Sequence, residues 1–438
     1  MACPHCRELT QLGSMAEVAP TLNLNAFPDD PIPTPPVTAS YRVALVLVAL
    51  MTVLIPLVYL GVVGGIGYFL VRFAIHGWSF LHKYRIGLFV GGYIALLLAG
   101  LTVLCFMLTP LLGRRGRRAQ PLALNPEAEP VLFDFIARIC RSVGASMPSR
   151  IDLDCQFNAS AGFRKGPLTS SDLVLTIGLP LVAGLNVTEF AGVVAHEFGH
   201  FTQGSAMRLS YWVRAASAWL EGLVTEDTPW DTASRDGTEE DAVGLGLLAT
   251  QLLIGAARLP LRLMVLLSGA ASGWLLHQME FDADRYEIEL VGSAAFEAAA
   301  RRFRVLQRAL MRSYEALKGC LQKNRGLPDN LPNFMLYQEG LLPLLLRTKL
   351  EQDAVPTERS WFSTHPSDAA RAQRARALNA PGRMIGTGPA RNLFANFDAV
   401  ARQVTILHYR DDLGFPALDG LVFPWDPRQG ALGNRQCG

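Results

Sequence analysis

Two long uncharged apolar runs near the start of the chain, Val43 to Val71 and Ile86 to Leu112, limit its fold most severely. Each exceeds the roughly 18 to 20 residues needed to cross the hydrocarbon core of a bilayer. A helix with no polar face has no stable place at an aqueous surface. The runs therefore predict a transmembrane hairpin over residues 42–113, with its turn around His76 to Tyr84. Pro56 and the cluster Gly61, Gly64 and Gly65 fit this reading, because membrane helices tolerate both residue types. The first run begins too late and lasts too long to be a cleaved signal peptide. The turn carries Arg72, Lys83 and Arg85, and the far sides carry Arg42 and the cluster Arg114, Arg115, Arg117 and Arg118. The positive-inside rule then favours both ends in the cytoplasm.

Residues 1–41 read as a disordered tail, Pro-rich from Pro28 to Ser40. A third apolar region, 242–276, is interrupted by Arg258 and Arg262 and is expected to associate with the membrane. An acidic stretch before it, Glu226 to Asp241, reads as a solvated loop. Net charge is only +2, so composition gives no general attraction to nucleic acid. No Gly-x-x-x-x-Gly-Lys-Ser/Thr loop is present, so no ATP site of the chain's own is expected. Seven scattered cysteines make no disulfide framework and fit a reducing compartment.

From about Gln120 the pattern becomes globular. Pro126 to Val143 has helical apolar spacing, and Ile151 to Phe157 alternates like a strand that Asn158 to Phe163 continues. Leu173 to Ile177 reads as a second strand, and Arg301 to Leu321 and Leu331 to Leu350 read as helices. One helix, a few strands and then mostly helices make an α+β domain over residues 120–378. Residues 379–438 read as an irregular C-terminal cap of unknown role.

The chemistry concentrates in His196-Glu197-Phe198-Gly199-His200. On a helix, histidines at i and i+4 share one face and reach one metal ion, and the glutamate beside the first can serve as base. Asn186 and Glu189 stand in capping-box spacing ahead of it. Gly199 is costly inside a helix, by about 1 kcal/mol, and implies close packing against something. A catalytic metal needs a third protein ligand. Glu280 is the best candidate, with His277 on the same helical face as a competitor. Asp284, at i+4 from Glu280, can accept the free N–H of a ligating histidine.

His-Glu-x-x-His followed by Glu-x-x-x-Asp resembles the integral-membrane zinc metalloproteases of the HtpX and CAAX prenyl protease type. Apolar spans ahead of the motif helix, Asn158-Ala159 before it, and Thr364-His365-Pro366 with Arg371 after it resemble the same family. The resemblance implies a mainly helical, gluzincin-like protease domain with a small sheet. It implies one zinc ion per chain held by His196, His200 and Glu280, with Glu197 as general base and Asp284 behind the ligands. It further implies oxyanion stabilisation by His365 with Arg371, and substrate backbone contacts at Asn158 and Ala159. The expected function is membrane-bound endopeptidase action on unfolded or membrane-associated proteins, with the catalytic domain on the cytoplasmic side of a bacterial inner membrane. Alternatives are CAAX-type processing and a non-catalytic membrane scaffold with a structural metal. Leu418-Asp419-Gly420 mimics a ligand motif of another membrane zinc protease class, but no apolar span surrounds it.

Overall fold

The computed structural model describes residues 27, 30–34, 39–83, 90–112, 121–164, 172–202, 213, 241–323, 326–352, 366–384, 386–415, 418 and 420–425. Helices α1 (Ala39–Lys83) and α2 (Val90–Leu112) form the apolar hairpin. The stretches Ala39–Gly77 and Val90–Leu108 are each long and apolar enough to cross a membrane. Their outer faces stay apolar: Leu47, Leu50 and Leu57 on α1 and Leu96 and Leu98 on α2 are all more than half exposed. A lipid environment makes such a surface favourable. Tyr59 Oη donates to Met107 O at 2.7 Å, which seals the hairpin with a bond that has no competing water in hydrocarbon.

The globular domain follows. Strand β1 (Leu122–Ala123) leads to α3 (Pro130–Val143), which starts with Pro at its first turn and ends at Gly144 in the left-handed region, φ 77°. Its buried stripe Leu132, Phe135, Ile136, Ile139 and Val143 has helical spacing and faces the core. Strands β2 (Arg150–Asp154), β3 (Ala159–Phe163) and β4 (Leu173–Gly178) complete a sheet of order β1-β2-β4-β3. The pairing β2–β4 is parallel and β3–β4 antiparallel, so β3 is an edge strand. Asn158 to Phe163 therefore does not continue the preceding strand. The chain breaks after Asp154 and returns on the other side of β4. Gly178 allows this return, because a Cβ there would lie 1.8 Å from Gln156 O.

Helices α4 (Leu179–Gly184) and α5 (Val187–Gly199) come directly off β4. Helix α6 (Asp241–Val291) follows, bent by 49° between Ala270 and Ser272. The rest is α7 (Ser293–Gln322), β5 (Leu327–Pro328), α8 (Leu331–Gly340), α9 (Leu344–Gln352), α10 (Asp368–Leu378), α11 (Phe397–Leu407) and β6 (Val422–Phe423). The single helix expected over Leu331 to Leu350 is two helices broken around Pro343. The C-terminal residues are more regular than expected: α11 passes into a π-helical turn, His408–Asp412, and Trp425 packs edge-on against Phe334.

Helix α6 ties the two regions together. Leu261 and Met264 pack with Ile55, Tyr59, Val63 and Met107 of the hairpin. Farther along α6, Leu275, Leu276 and Met279 pack with Tyr41, Leu45 and Val48. The third apolar region and the motif helix expected from Trp274 to Leu290 are thus one helix, running antiparallel to α1. Two further departures concern the ends of the chain and the thiols. Ile32 is 3% exposed in the domain core, its N–H bonded to Ser142 O at 2.7 Å, and Phe27 sits edge-on to Phe135. This part of the tail is docked because it carries two large apolar side chains among its prolines. Cys320 is disulfide-bonded, whereas Cys105, Cys140 and Cys155 are thiols.

Ile32→Ala should cost about 2–4 kcal/mol of stability, the range for truncating a fully buried aliphatic side chain. Thermal unfolding in detergent checks it against Leu47→Ala, a truncation on the 53% exposed face of α1. Equal effects of the two would show that Ile32 is not part of the domain core.

Candidate metal centre

The motif lies on α5, whose first turn is closed by the capping box that its sequence calls for. Asn186 Oδ1 accepts from Glu189 N at 2.8 Å, and Glu189 Oε2 accepts from Asn186 N at 2.9 Å. His196 is in the last turn and His200 is the C-cap. Their rings are 5.0 Å apart and nearly perpendicular. Helix α6 crosses this end of α5 at short range. A Cβ at Gly199 would lie 3.0 Å from Tyr286 Cδ2 and 3.1 Å from Ala283 Cα. The neighbour that Gly199 implies is therefore a helix, the one that carries the acids.

Glu280 is 3% exposed and stands between the two histidines. Its Oε2 is 3.5 Å from His196 Nε2 and its Oε1 is 3.6 Å from His200 Nε2. These separations are too long for good hydrogen bonds. They match the spacing of two ligand atoms held about 2.0 to 2.1 Å from one tetrahedral ion, roughly 3.3 to 3.4 Å. The three residues thus form a group able to hold a metal. His277 belongs to no such group among the described residues.

Behind His196 lies a second layer. Asp284 Oδ1 is 3.1 Å from His196 Nδ1, yet that buried nitrogen has no well-aligned hydrogen-bond partner. Arg371, from α10, holds both oxygens of Asp284, Nε to Oδ2 at 2.9 Å and Nη2 to Oδ1 at 2.5 Å. It also lies over the Phe296 ring, 5.4 Å from its centroid. Burial disfavours a charged His196 ring, but Asp284 and Glu280 outweigh it and raise its pKa to about 10. A field that holds a proton on a buried imidazole also favours a divalent cation, which takes that proton's place. Donor set, spacing and field all fit a metal ion.

One residue of the site escaped the sequence reading. Glu287 is buried, with Oε2 3.6 Å from His196 Nδ1, and forms a second group with His196 and Asp284. Its signal was available, since Glu280, Asp284 and Glu287 follow an i, i+4, i+7 stripe along one helix face. Space for it comes from Gly192, where a Cβ would lie 3.0 Å from Glu287 Oε1.

The edge strand meets the centre at Ala161, whose N–H donates to Glu197 Oε2 at 3.3 Å. Asn158 and Ala159 lie at the start of the same strand. Asn158 O accepts from Gly178 N, and Ala159 is buried. His365 and Asp419 lie outside the described residues.

The family model for peptidase family M48 matches residues 127–379. The chain belongs to peptidase family M48. Protease HtpX of Acinetobacter baylyi is 24% identical over 264 residues, covering 60% of this chain and 75% of the relative. No solved structure matches the chain. With the two apolar helices, these findings make the protein a membrane metalloprotease. The matched residues run from α3 through α10, with strands β2 to β5 and Arg371, but leave out β1 and stop before α11.

Arg371→Ala should leave Asp284 buried without its cation and free to swing from His196. A loss of about 10- to 100-fold in metal affinity is expected, as for other partners of metal ligands. Competition against a chromogenic chelator measures it. Arg371→Lys should recover only part, because one ammonium cannot replace a two-point grip.

Proposed function

We propose that the protein is a zinc-dependent endopeptidase that hydrolyses peptide bonds in unfolded or membrane-associated proteins. The observation that carries this reading is the convergence of His196, His200 and Glu280, with Glu197 beside them and touching the edge strand β3. Two imidazoles and a carboxylate suit zinc among the common divalent ions. When bound, zinc supplies Lewis acidity, lowering the pKa of water and polarising the scissile carbonyl.

The chain's own residues then divide the work. Glu197 takes the proton of the attacking water on its carboxylate and returns it to the leaving amine. Asp284 orients the His196 ring, and Arg371 holds Asp284. We assign Arg371 this positioning role in place of the oxyanion role expected from the resemblance, because Asp284 already occupies its guanidinium. His365 keeps its proposed oxyanion role. The outer edge of β3, which pairs with no other strand among the described residues, receives the substrate as an added strand. Ser160 and Gly162 pair inward across β4, which turns the amides of Ala159 and Ala161 outward; Ala161 N–H, which donates to Glu197 Oε2, exchanges that bond for one to the peptide. Such a site takes only extended backbone, so folded substrates are excluded until they open.

Membrane-associated substrates are favoured by position. Met279, packed against Tyr41 and Leu45 of α1, immediately precedes Glu280. The charges flanking the spans favour the cytoplasmic side for this domain. Processing of lipid-modified C-terminal peptides is the weaker reading. The apolar cavity of about 700 Å³ between the spans is lined by Phe69, Phe73 and Leu253. Along α6, Leu253 is up to about 40 Å from Glu280 at 1.5 Å per residue. A single lipid chain reaches about 15 Å, half the hydrocarbon core. A structural-metal scaffold has no use for Glu197 beside the ligands.

Glu197→Gln should lower casein cleavage by about 10²- to 10⁴-fold while bound zinc is unchanged. A chelator should abolish wild-type cleavage, and added zinc should restore it. Cleavage by the variant at the wild-type rate would sink the role of Glu197.

A further inference from the structure

Immediately beyond the family-matched residues, the chain crosses from one metal-ligand helix to the other. Helices α5 and α6 run antiparallel, since Gly199 meets Ala283 and Gly192 meets Val291. The ligands lie toward one end of this pair. At the other end, Arg383 N and Met384 N both donate to Leu290 O, at 2.8 and 2.9 Å. Ala380 O accepts from Ser293 N at 3.0 Å. The chain then reaches the start of α5. Val187 N donates to Gly388 O at 2.9 Å, and Ala390 N donates to Leu185 O at 2.9 Å. Thr188 Oγ1 donates to Gly386 O at 2.8 Å and accepts from Gly386 N at 3.1 Å.

The backbone approaches are close enough to require glycine. Gly292 has φ 92°, and a Cβ there would lie 2.8 Å from Pro381 O. Gly382 has φ 82°, and its Cβ would lie 2.7 Å from Val291 C. At Gly386 a Cβ would lie 2.9 Å from Val187 Cγ1. Met384 is 3% exposed in the core, which anchors the crossing between its two ends.

We infer that residues 380–384 and 386–390 are a crossbar that fixes the register of α5 against α6, with Thr188 and Gly386 as positioning residues for the metal centre. This rests on the peptidase reading above for its catalytic consequence but not for its effect on metal binding. The reason is mechanical. Helix α5 contributes His196 and His200, helix α6 contributes Glu280, and all hydrogen bonds within each helix leave their relative sliding free. The crossing at Gly199 limits their separation. The crossbar pins their far ends with backbone hydrogen bonds, which are directional where apolar packing is not. Thr188 is about 12 Å from His196 along α5, so a change there acts on the ligands through the helix.

The test uses the full chain in detergent, comparing wild type, Thr188→Val, Thr188→Ser and Gly386→Ala. Each is loaded with cobalt as a spectroscopic stand-in for zinc, and metal affinity, visible spectrum, melting temperature, kcat and KM are measured. Thr188→Val removes both bonds between Thr188 and Gly386 at almost constant volume. It should weaken metal binding about tenfold, shift the cobalt bands and lower kcat about tenfold with KM unchanged, the scale expected for a small misplacement of reacting groups. Gly386→Ala should do the same, and Thr188→Ser should restore every reading. Thr188→Ala replaces Thr188→Val if the latter folds poorly. A lower melting temperature with unaltered affinity and spectrum would overturn the proposal, leaving the crossbar a purely stabilising feature. If casein cleavage proves independent of Glu197, the peptidase reading fails, and affinity and spectrum still decide the crossbar.

Discussion

The centre depends on how closely α5 and α6 can approach. Ligands on two helices share one ion only if the helix surfaces touch, and any side chain at position 199 would push α6 away from the histidines. The backbone of Ala283 lies 3.1 Å from where that Cβ would be. Glycine within the motif gives up helix propensity, about 1 kcal/mol, in return for a crossing that carries Glu280 to both imidazoles. Gly192 repeats the device two turns earlier and gives Glu287 its place. Both glycines lie on the face of α5 that meets α6, so the helix contact and the acidic layer have one origin.

That acidic layer is costly by itself. Glu280, Asp284 and Glu287 are each at most 5% exposed, and unpaired carboxylates at such depth would cost several kcal/mol each. Arg371 meets this partly, with a two-point grip on Asp284. It stays charged because the paired carboxylate outweighs its burial. The histidines meet the rest, His196 by retaining a proton. A cation at the front of the cluster would neutralise what Arg371 leaves at the back. The arrangement makes physical sense as half of a charge-balanced site, which is a stronger reason to read it as a metal centre than the motif alone.

Much of this was readable in the residues because it is local. Capping box, histidine spacing and the Glu280–Asp284 stripe each fit within one or two helical turns, and local geometry fixes them. The apolar spans were readable because lipid imposes a length and forbids charge. What escaped depends on distant neighbours. The turn after Asp154 is set by where β4 lies, and nothing in Asn158 to Phe163 marks it as a return strand. Ile32 docks because its side chain joins the domain core and its N–H meets Ser142 O. Arg371 was expected at the oxyanion beside His365, and only the fold puts Asp284 opposite it. Glu287 stood in plain view on its stripe, and was passed over because three ligands already satisfied the expected site.

The least expected feature, one helix from bilayer to centre, carries the strongest consequence. A flexible joint between spans and domain would let the metal centre sample many heights above the membrane. Here the helix that packs Leu261 and Met264 among the spans presents Glu280 to the histidines. A bend of 49° redirects it without releasing it, because its far side still packs on Tyr41, Leu45 and Val48. The centre therefore has a fixed height and a fixed facing, and so does the edge strand lying against Glu197. Selection among substrates need not come from side-chain pockets alone. Under the proposed function, extended segments that emerge from the bilayer at the right distance would have most of their positional entropy removed before they reach β3, whereas a soluble chain would lose all of it on binding.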